Sequence, residues 1–156
     1  MIKNVLDYLE QSAAKSPDKT AVADEHSAFT YRELLDNAQR VGAVLQKETP
    51  VRTAVPVYME KSCNALAAFM GAAKAGCFYC LLDPTQPVER IQMILATLGA
   101  EIMIIDEKSA KKQEKLGFSG KVLKIEELLE HTPDEKEMKQ LDIIRENALD
   151  IDPLYS

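Results

Sequence analysis

Cys77 and Cys80 stand three residues apart, the spacing that most invites a metal or redox reading in this 156-residue chain. A structural zinc site takes four ligands, and the other candidates are Cys63, His26 and His131, with no second ligand pair at motif spacing. A redox Cys-x-x-Cys normally opens a helix, where the dipole lowers a thiol pKa, whereas Cys77-Phe78-Tyr79-Cys80 lies in an apolar run that reads as a strand. Residues three apart on a strand point to opposite faces, so the two sulfurs are expected to be buried structural thiols. His26, in a polar turn, and His131, ahead of Pro133, have no partner at motif spacing and are expected on the surface.

Among the carboxylates, most fall into mixed-charge patterns such as Glu107 with Lys111, the pattern of a solvated helix face. Asp83 differs, being the first polar residue after the apolar run, and ligands of open α/β sheets gather at the carboxyl ends of strands. With Pro84 behind it, its expected role is turn initiation. No Gly-x-Gly-x-x-Gly, Gly-x-x-x-x-Gly-Lys-Ser/Thr or Gly-x-Ser-x-Gly occurs, and the six glycines are spread as caps and turns. No catalytic, cofactor-binding or metal-ligating residue is therefore assigned.

The elements that would position these residues are well punctuated. Val5, Leu6, Leu9 and Ala13 mark a short amphipathic helix with Asn4 as its N-cap. Two short strands, Thr20–Ala23 and Ala28-Phe29, flank the turn Asp24-Glu25-His26-Ser27. Thr30 and Glu33 form a capping box, with Phe29 and Leu34 as the hydrophobic staple of a helix running through Leu45. Thr53–Tyr58 reads as a strand, although Pro56 cannot donate to a ladder and weakens a central placement. A small-residue helix from Ala65 to Ala75 ends at Gly76 in the left-handed position, where no Cβ can clash. Cys77–Leu82 is the kind of strand buried on both faces of a parallel sheet. A helix then starts with Pro87 at its first position and closes at Gly99. Glu101–Asp106 and Lys121–Ile125 are strands on either side of a charged helix over 107–116, and Met138, Leu141, Ile144 and Ala148 mark a peripheral helix. Strands alternating with helices predict an α/β fold, a mostly parallel sheet of βαβ units with helices on both faces.

Composition narrows the function classes. With 46% hydrophobic residues the chain can bury one sizeable core. Nineteen basic against 25 acidic residues give a net charge of −6, which argues against nucleic acid or an anionic membrane as partner. No run approaches the ~20 apolar residues of a membrane span, and no signal peptide opens the chain, so a cytoplasmic location is expected. An odd number of cysteines, three, fits free thiols in a reducing compartment.

Two of these punctuated stretches carry a resemblance. Lys74-Ala75-Gly76, Tyr79, Leu82-Asp83-Pro84, Pro87 and Glu89-Arg90 match a core motif of the adenylate-forming enzymes, and Thr30-Tyr31-Arg32-Glu33-Leu34 is similar to that family's Thr-Tyr-x-Glu-Leu. Gly99-Ala100 ahead of a strand fits as well, while Cys77, Cys80 and Leu81 depart from the usual residues at positions that read as buried. The form of the motif is most similar to amino-acid-activating members, those of nonribosomal peptide synthetases and the D-alanine–carrier ligases. The resemblance implies that residues 1–156 are the N-terminal α/β subdomain of an AMP-binding (adenylation) domain, cut before the phosphate-binding loop, with 133–156 as a peripheral segment. In the family that loop follows shortly after a segment similar to Asp150–Ser156.

By resemblance the parent would use ATP and Mg²⁺ to convert a carboxylate to an acyl-adenylate and pass it to a phosphopantetheine thiol of a carrier protein. The chain itself is expected to be inactive, holding no cofactor. Its expected partners are the rest of the adenylation domain and the carrier, and its uncovered apolar faces predict self-association. The alternatives are a free-standing α/β binding module and a fragment of an acyl-CoA synthetase.

Overall fold

The computed structural model describes residues 5–147. The expected N-cap Asn4, Ala148 and the Asp150–Ser156 segment lie outside the described residues. Helix α1, Val5–Lys15, buries Leu6 and Leu9. Strands β1, Thr20–Ala23, and β2, Ala28–Thr30, pair antiparallel as a separate two-stranded sheet. Helix α2, Tyr31–Glu48, begins with the expected capping box: Thr30 Oγ1 accepts the Glu33 N–H at 3.1 Å and Glu33 Oε1 accepts the Thr30 N–H at 2.9 Å. Phe29 and Leu34 join one apolar cluster with Leu6 and Leu9, so the start of α2 and the inner face of α1 share a core.

Four further strands form a parallel sheet in the order β4-β3-β5-β6, with β3 at Ala54–Tyr58, β4 at Phe78–Leu82, β5 at Ile102–Ile105 and β6 at Lys121–Lys124. Between and after them run α3 (Cys63–Lys74), α4 (Val88–Leu98), a 3₁₀ turn (Glu107–Ser109), α5 (Ala110–Glu114), α6 (Ile125–Leu128) and α7 (Glu135–Asn147). Side chains alternate across the sheet as strand geometry requires. Val55, Val57, Ile102 and Ile104 face one cluster, packed under Val41 and Leu45 of α2, the alanines of α3, and Ile125 and Leu128 of α6. Tyr58, Leu82, Met103 and Ile105 face the other, under Ile91 and Leu95 of α4 and Leu116. Each large side chain buried this way contributes about 1.5–3 kcal/mol. Helices thus cover both faces of a parallel sheet, as the element order predicts. Among the described residues no helix is long and apolar enough to cross a membrane.

Several boundaries and placements differ from expectation. Among the described residues β4 is an edge strand of the four-stranded sheet with β3 as its one neighbour there, and Phe78–Leu81 are only half-buried. The ring of Tyr79 stacks on that of Phe69 of α3, 4.5 Å apart, against the same cluster as Val55 and Val57. Pro56 sits in the central strand, fully enclosed; the pairing of β3 with β5 engages only Val57↔Ile104 and Tyr58↔Ile105, one residue past the missing N–H. Pro87 is the N-cap of α4, with an extended ψ of 145°, and not its first helical residue. The charged helix over 107–116 is a 3₁₀ turn followed by one α turn, and Ile125 opens α6 instead of ending β6. α3 starts two residues earlier than expected because Ser62 caps it, accepting the Ala65 N–H at 3.0 Å.

The end of α3 is as expected. Gly76 has φ +75°, its N–H bonds the Ala73 carbonyl at 3.0 Å, and the Cys77 N–H bonds the Ala72 carbonyl at 2.9 Å. That pair of bonds is the Schellman arrangement, which needs a left-handed residue at this point.

α2 lies directly against α3. A Cβ on Gly71 would stand 2.3 Å from Val41 Cγ1, and one on Gly42 would stand 2.9 Å from Lys74 Cβ and 3.2 Å from the Gly71 carbonyl oxygen. The absent side chains let the two helices touch backbone to side chain, with α3 in turn seated on the sheet. Gly71→Ala is expected to cost about 1–3 kcal/mol in urea unfolding, from overpacking at a rigid contact. In a Val41→Gly background, which removes both Cγ1 and the Cβ that would stand 2.4 Å away, that cost should shrink. An equal cost in both backgrounds would show that Val41 is not what Gly71 makes room for.

Candidate functional site

The carboxyl ends of β3 and β4 converge on a cleft of about 360 Å³ lined by Met59, Glu60, Lys61, Leu81, Asp83 and Thr85. Open parallel sheets bind ligands at this edge, and the fold brings Asp83 there as the sequence suggests. Its carboxylate is already engaged. Oδ1 accepts both the N–H and the hydroxyl of Thr85 at 2.8 Å, and the Asp83 carbonyl accepts the Gln86 N–H at 3.0 Å. The Thr85 donors, with Lys112 and Lys61 adding their charge, hold the Asp83 carboxyl below the usual carboxylate range. A carboxylate held ionised by its own turn is a weak proton acceptor and no proton donor at neutral pH. It initiates the turn after β4.

Its neighbours are engaged in the same way. Glu60 accepts from Lys108 Nζ at 2.9 Å. Asp106, after β5, caps the following 3₁₀ turn by accepting the Ser109 N–H at 2.8 Å. Among the described residues no group of three or more His, Cys, Asp or Glu side chains is placed to hold a metal ion. The edge is built from turns and caps.

The thiols are separated. Cys77 is fully buried beside Val55 and Ala75, with Sγ 3.4 Å from the Pro50 carbonyl oxygen. Burial pushes its thiol pKa up, which suppresses the thiolate that redox or metal chemistry needs. Cys80 packs against the cluster on the opposite face, as the strand spacing predicts, but it is half-buried and not the fully buried thiol expected. Cys63, buried in the first turn of α3, donates to the Ser27 carbonyl at 3.5 Å.

The histidines divide. His26 is exposed, and its backbone N–H is bonded to Asp24 Oδ1 at 2.8 Å. His131 departs from the expectation of a partnerless surface side chain: it is partly buried, and Nε2 lies 3.1 and 3.0 Å from the two carboxylate oxygens of Glu137. After the turn at 129–130 the chain runs without regular structure over 131–134, and Asp134 and Glu137 form a second capping box at the start of α7, with backbone-to-side-chain bonds of 2.9 and 2.7 Å. The spacing Asp134-x-x-Glu137 is the sequence signal that announces it.

Glu137 is 5% exposed and also pairs with Lys47 of α2. This cluster borders a shallow cavity of about 560 Å³ lined by Gln46, Lys47, Asp134, Lys136, Glu137 and Gln140. Asp24 is a further residue whose role the sequence leaves unannounced. Its Oδ2 accepts the Cys63 N–H at 2.8 Å, tying the β1–β2 turn to the start of α3 across 39 residues. The Cys63 N–H, followed by those of His26 and Ser27, holds the Asp24 carboxyl far below its usual range.

The Lys47 ammonium, with the Asp134 N–H and His131, holds the Glu137 carboxyl at about 2, against an ordinary 4.5. A depressed folded-state pKa means a contribution fully present above the unfolded value and lost as pH falls from 4.5 towards about 2. Glu137→Gln should therefore be about 1–3 kcal/mol less stable than wild type at neutral pH. That gap should narrow as acid unfolding is followed below pH 4.5. A gap of constant size across this window would mean that the carboxylate charge does not stabilise α7.

Comparison with known proteins covers nearly the whole chain. Residues 9–153 match the family described as AMP-binding enzyme. A mycosubtilin synthase polypeptide of Bacillus subtilis is 32% identical over 126 residues, covering 80% of this chain and 5% of that protein. Of solved structures, the nonribosomal peptide synthetase FmoA3 superposes with a TM-score of 0.71 at 27% identity, over 83% of this chain and 14% of that one. VinN superposes with a TM-score of 0.72 at 23% identity, over 91% of this chain and 36% of that one, a likeness of fold. The chain thus spans a small part of the length of each of these proteins.

Proposed function

The chain belongs to the AMP-binding enzyme family, and from that premise we propose that its 156 residues act as the N-terminal scaffold of an ATP-dependent amino-acid-adenylating enzyme. In such an enzyme the substrate carboxylate attacks the α-phosphorus of ATP, pyrophosphate leaves, and a phosphopantetheine thiol of a carrier protein then takes the acyl group, releasing AMP. The preference for an amino acid draws on the peptide synthetases among the relatives, such as the mycosubtilin synthase. A structure of FmoA3 with AMPPNP bound shares this fold, with a TM-score of 0.71.

The observation that carries the scaffold reading is where the family-like motifs fall. Thr30 and Glu33 close the start of α2, Gly76 closes the end of α3, and Asp83 closes the turn after β4. Each of these residues spends its distinctive chemistry on backbone geometry. The residues at the carboxyl edge do not fit a nucleotide or a Mg²⁺ ion: Asp83 is bonded to Thr85, Glu60 to Lys108 and Asp106 to Ser109. No adenylation step is routed through them. What this chain supplies, on this reading, is a rigid α/β layer on which the ATP and amino-acid sites of the remaining enzyme are assembled.

A graft tests the proposal. Residues 9–153 replacing the matching segment of an active synthetase adenylation domain should preserve ATP–pyrophosphate exchange within about tenfold. Amino-acid preference should stay that of the host. A folded chimera with the host's melting behaviour and no exchange would contradict a scaffold role.

A further inference from the structure

The first and last described helices meet through charge. Arg145, in the last turn of α7, pairs with Asp7 of α1 and places Nε 3.1 Å from Glu10 Oε1, also of α1. Glu10 in turn faces Nζ of Lys74, which lies 3.9 Å away at the end of α3 with its side chain 10% exposed. Asp7 and Glu10 are three residues apart, on one face of α1, so two like charges stand side by side with Arg145 between them. Asp7 and Arg145 are partly buried, at 21% and 23% exposure, while Glu10 is 41% exposed, so that added salt reaches the cluster from the Glu10 side.

The apolar anchorage of both helices is short. α1 buries Leu6 and Leu9 against α2 and α3, and α7 buries Leu141 with Glu137 one turn earlier. Past Leu141, the hold of α7 on the body rests on half-buried Ile144 and on Arg145. Loss of Arg145 would both free that last turn and remove the cation that Asp7 and Glu10 share. One side chain therefore bridges two helices that stand at opposite ends of the described chain.

We propose that Arg145, Asp7 and Glu10 form a salt-sensitive clasp through which α1 and α7 open as a single unit while the parallel sheet stays closed. Local opening units of this kind are drawn from elements with few buried contacts and are visible in amide exchange. The proposal does not depend on the reading of the chain as part of an adenylating enzyme.

Hydrogen exchange of the whole chain, read by mass spectrometry, tests it. In Arg145→Met, amides of α1 and α7 should both exchange faster by about tenfold or more, with β3 and β5 unchanged. Lys74→Met keeps the buried stem and the Arg145 pairs, and should leave α7 within about twofold of wild type. In wild type, raising NaCl from ~50 to ~500 mM should speed both helices together, a response that Arg145→Met should lack. Acceleration of α7 alone, in the variant or in salt, would overturn the clasp. Should Arg145→Met fail to fold, the wild-type salt series decides alone: joint acceleration supports the clasp, and a response in one helix or neither overturns it.

Discussion

The packing on one face of the sheet, and of α1 beyond it, is arranged around the contact of α2 with α3. Val41 occupies the space that any side chain at position 71 would need, and the Cβ of Lys74 lies where one at position 42 would go. That close approach lets α3, with five alanines among its twelve residues, pack beside α2, so that Val41 and Leu45 share one apolar cluster with Val55, Val57 and Ile104. The second cluster, joining α1 to α2 and α3 through Leu6, Leu9, Ala38 and Met70, hangs on the same pair of helices. Interiors are packed at crystal-like density, so two missing side chains at one crossing determine the positions of many others.

A second regularity runs through the polar residues. Asp24, Thr30, Asp106 and Asp134 each accept a backbone N–H at or near the start of a helical turn, and Asp83 does so in the turn after β4. The first N–H groups of a helix have no partner within it, and a side-chain oxygen close in sequence is a ready way to satisfy them. A residue used in this way is not free to bind a ligand or move a proton. The concentration of carboxylates near the carboxyl edge of the sheet is thereby accounted for without catalysis, and the proposed scaffold role rests on the same fact.

How much could be read from the chain follows the range of each interaction. The capping box at Thr30 and Glu33, the left-handed Gly76 and the opposite-face placement of Cys77 and Cys80 are decided within a few residues, and all were legible. The parallel sheet with helices on both faces was legible from the alternation of elements. The edge position of β4 was not, because an apolar run reports that a strand is half or fully covered without saying how many neighbours it has. The bond between Asp24 and Cys63 spans 39 residues and has no local signature. The pairing of His131 with Glu137 depends on the path of the irregular segment 131–134, although the Asp134-x-x-Glu137 spacing was there to be read as a helix start. At the strand-end cleft, Asp83 was rightly located and its turn role anticipated, while the engagement of Glu60 by Lys108, 48 residues away, needed the fold.

If these residues supply architecture, the chemistry of adenylation belongs to other parts of the enzyme. ATP–pyrophosphate exchange by the purified 156-residue chain, supplied with Mg²⁺ and each proteinogenic amino acid in turn, puts that division of labour to the test. A scaffold should give no exchange above a protein-free blank for any amino acid. Exchange that scales with the amount of chain, and that copurifies with it, would contradict the scaffold reading by placing a reaction centre within these residues.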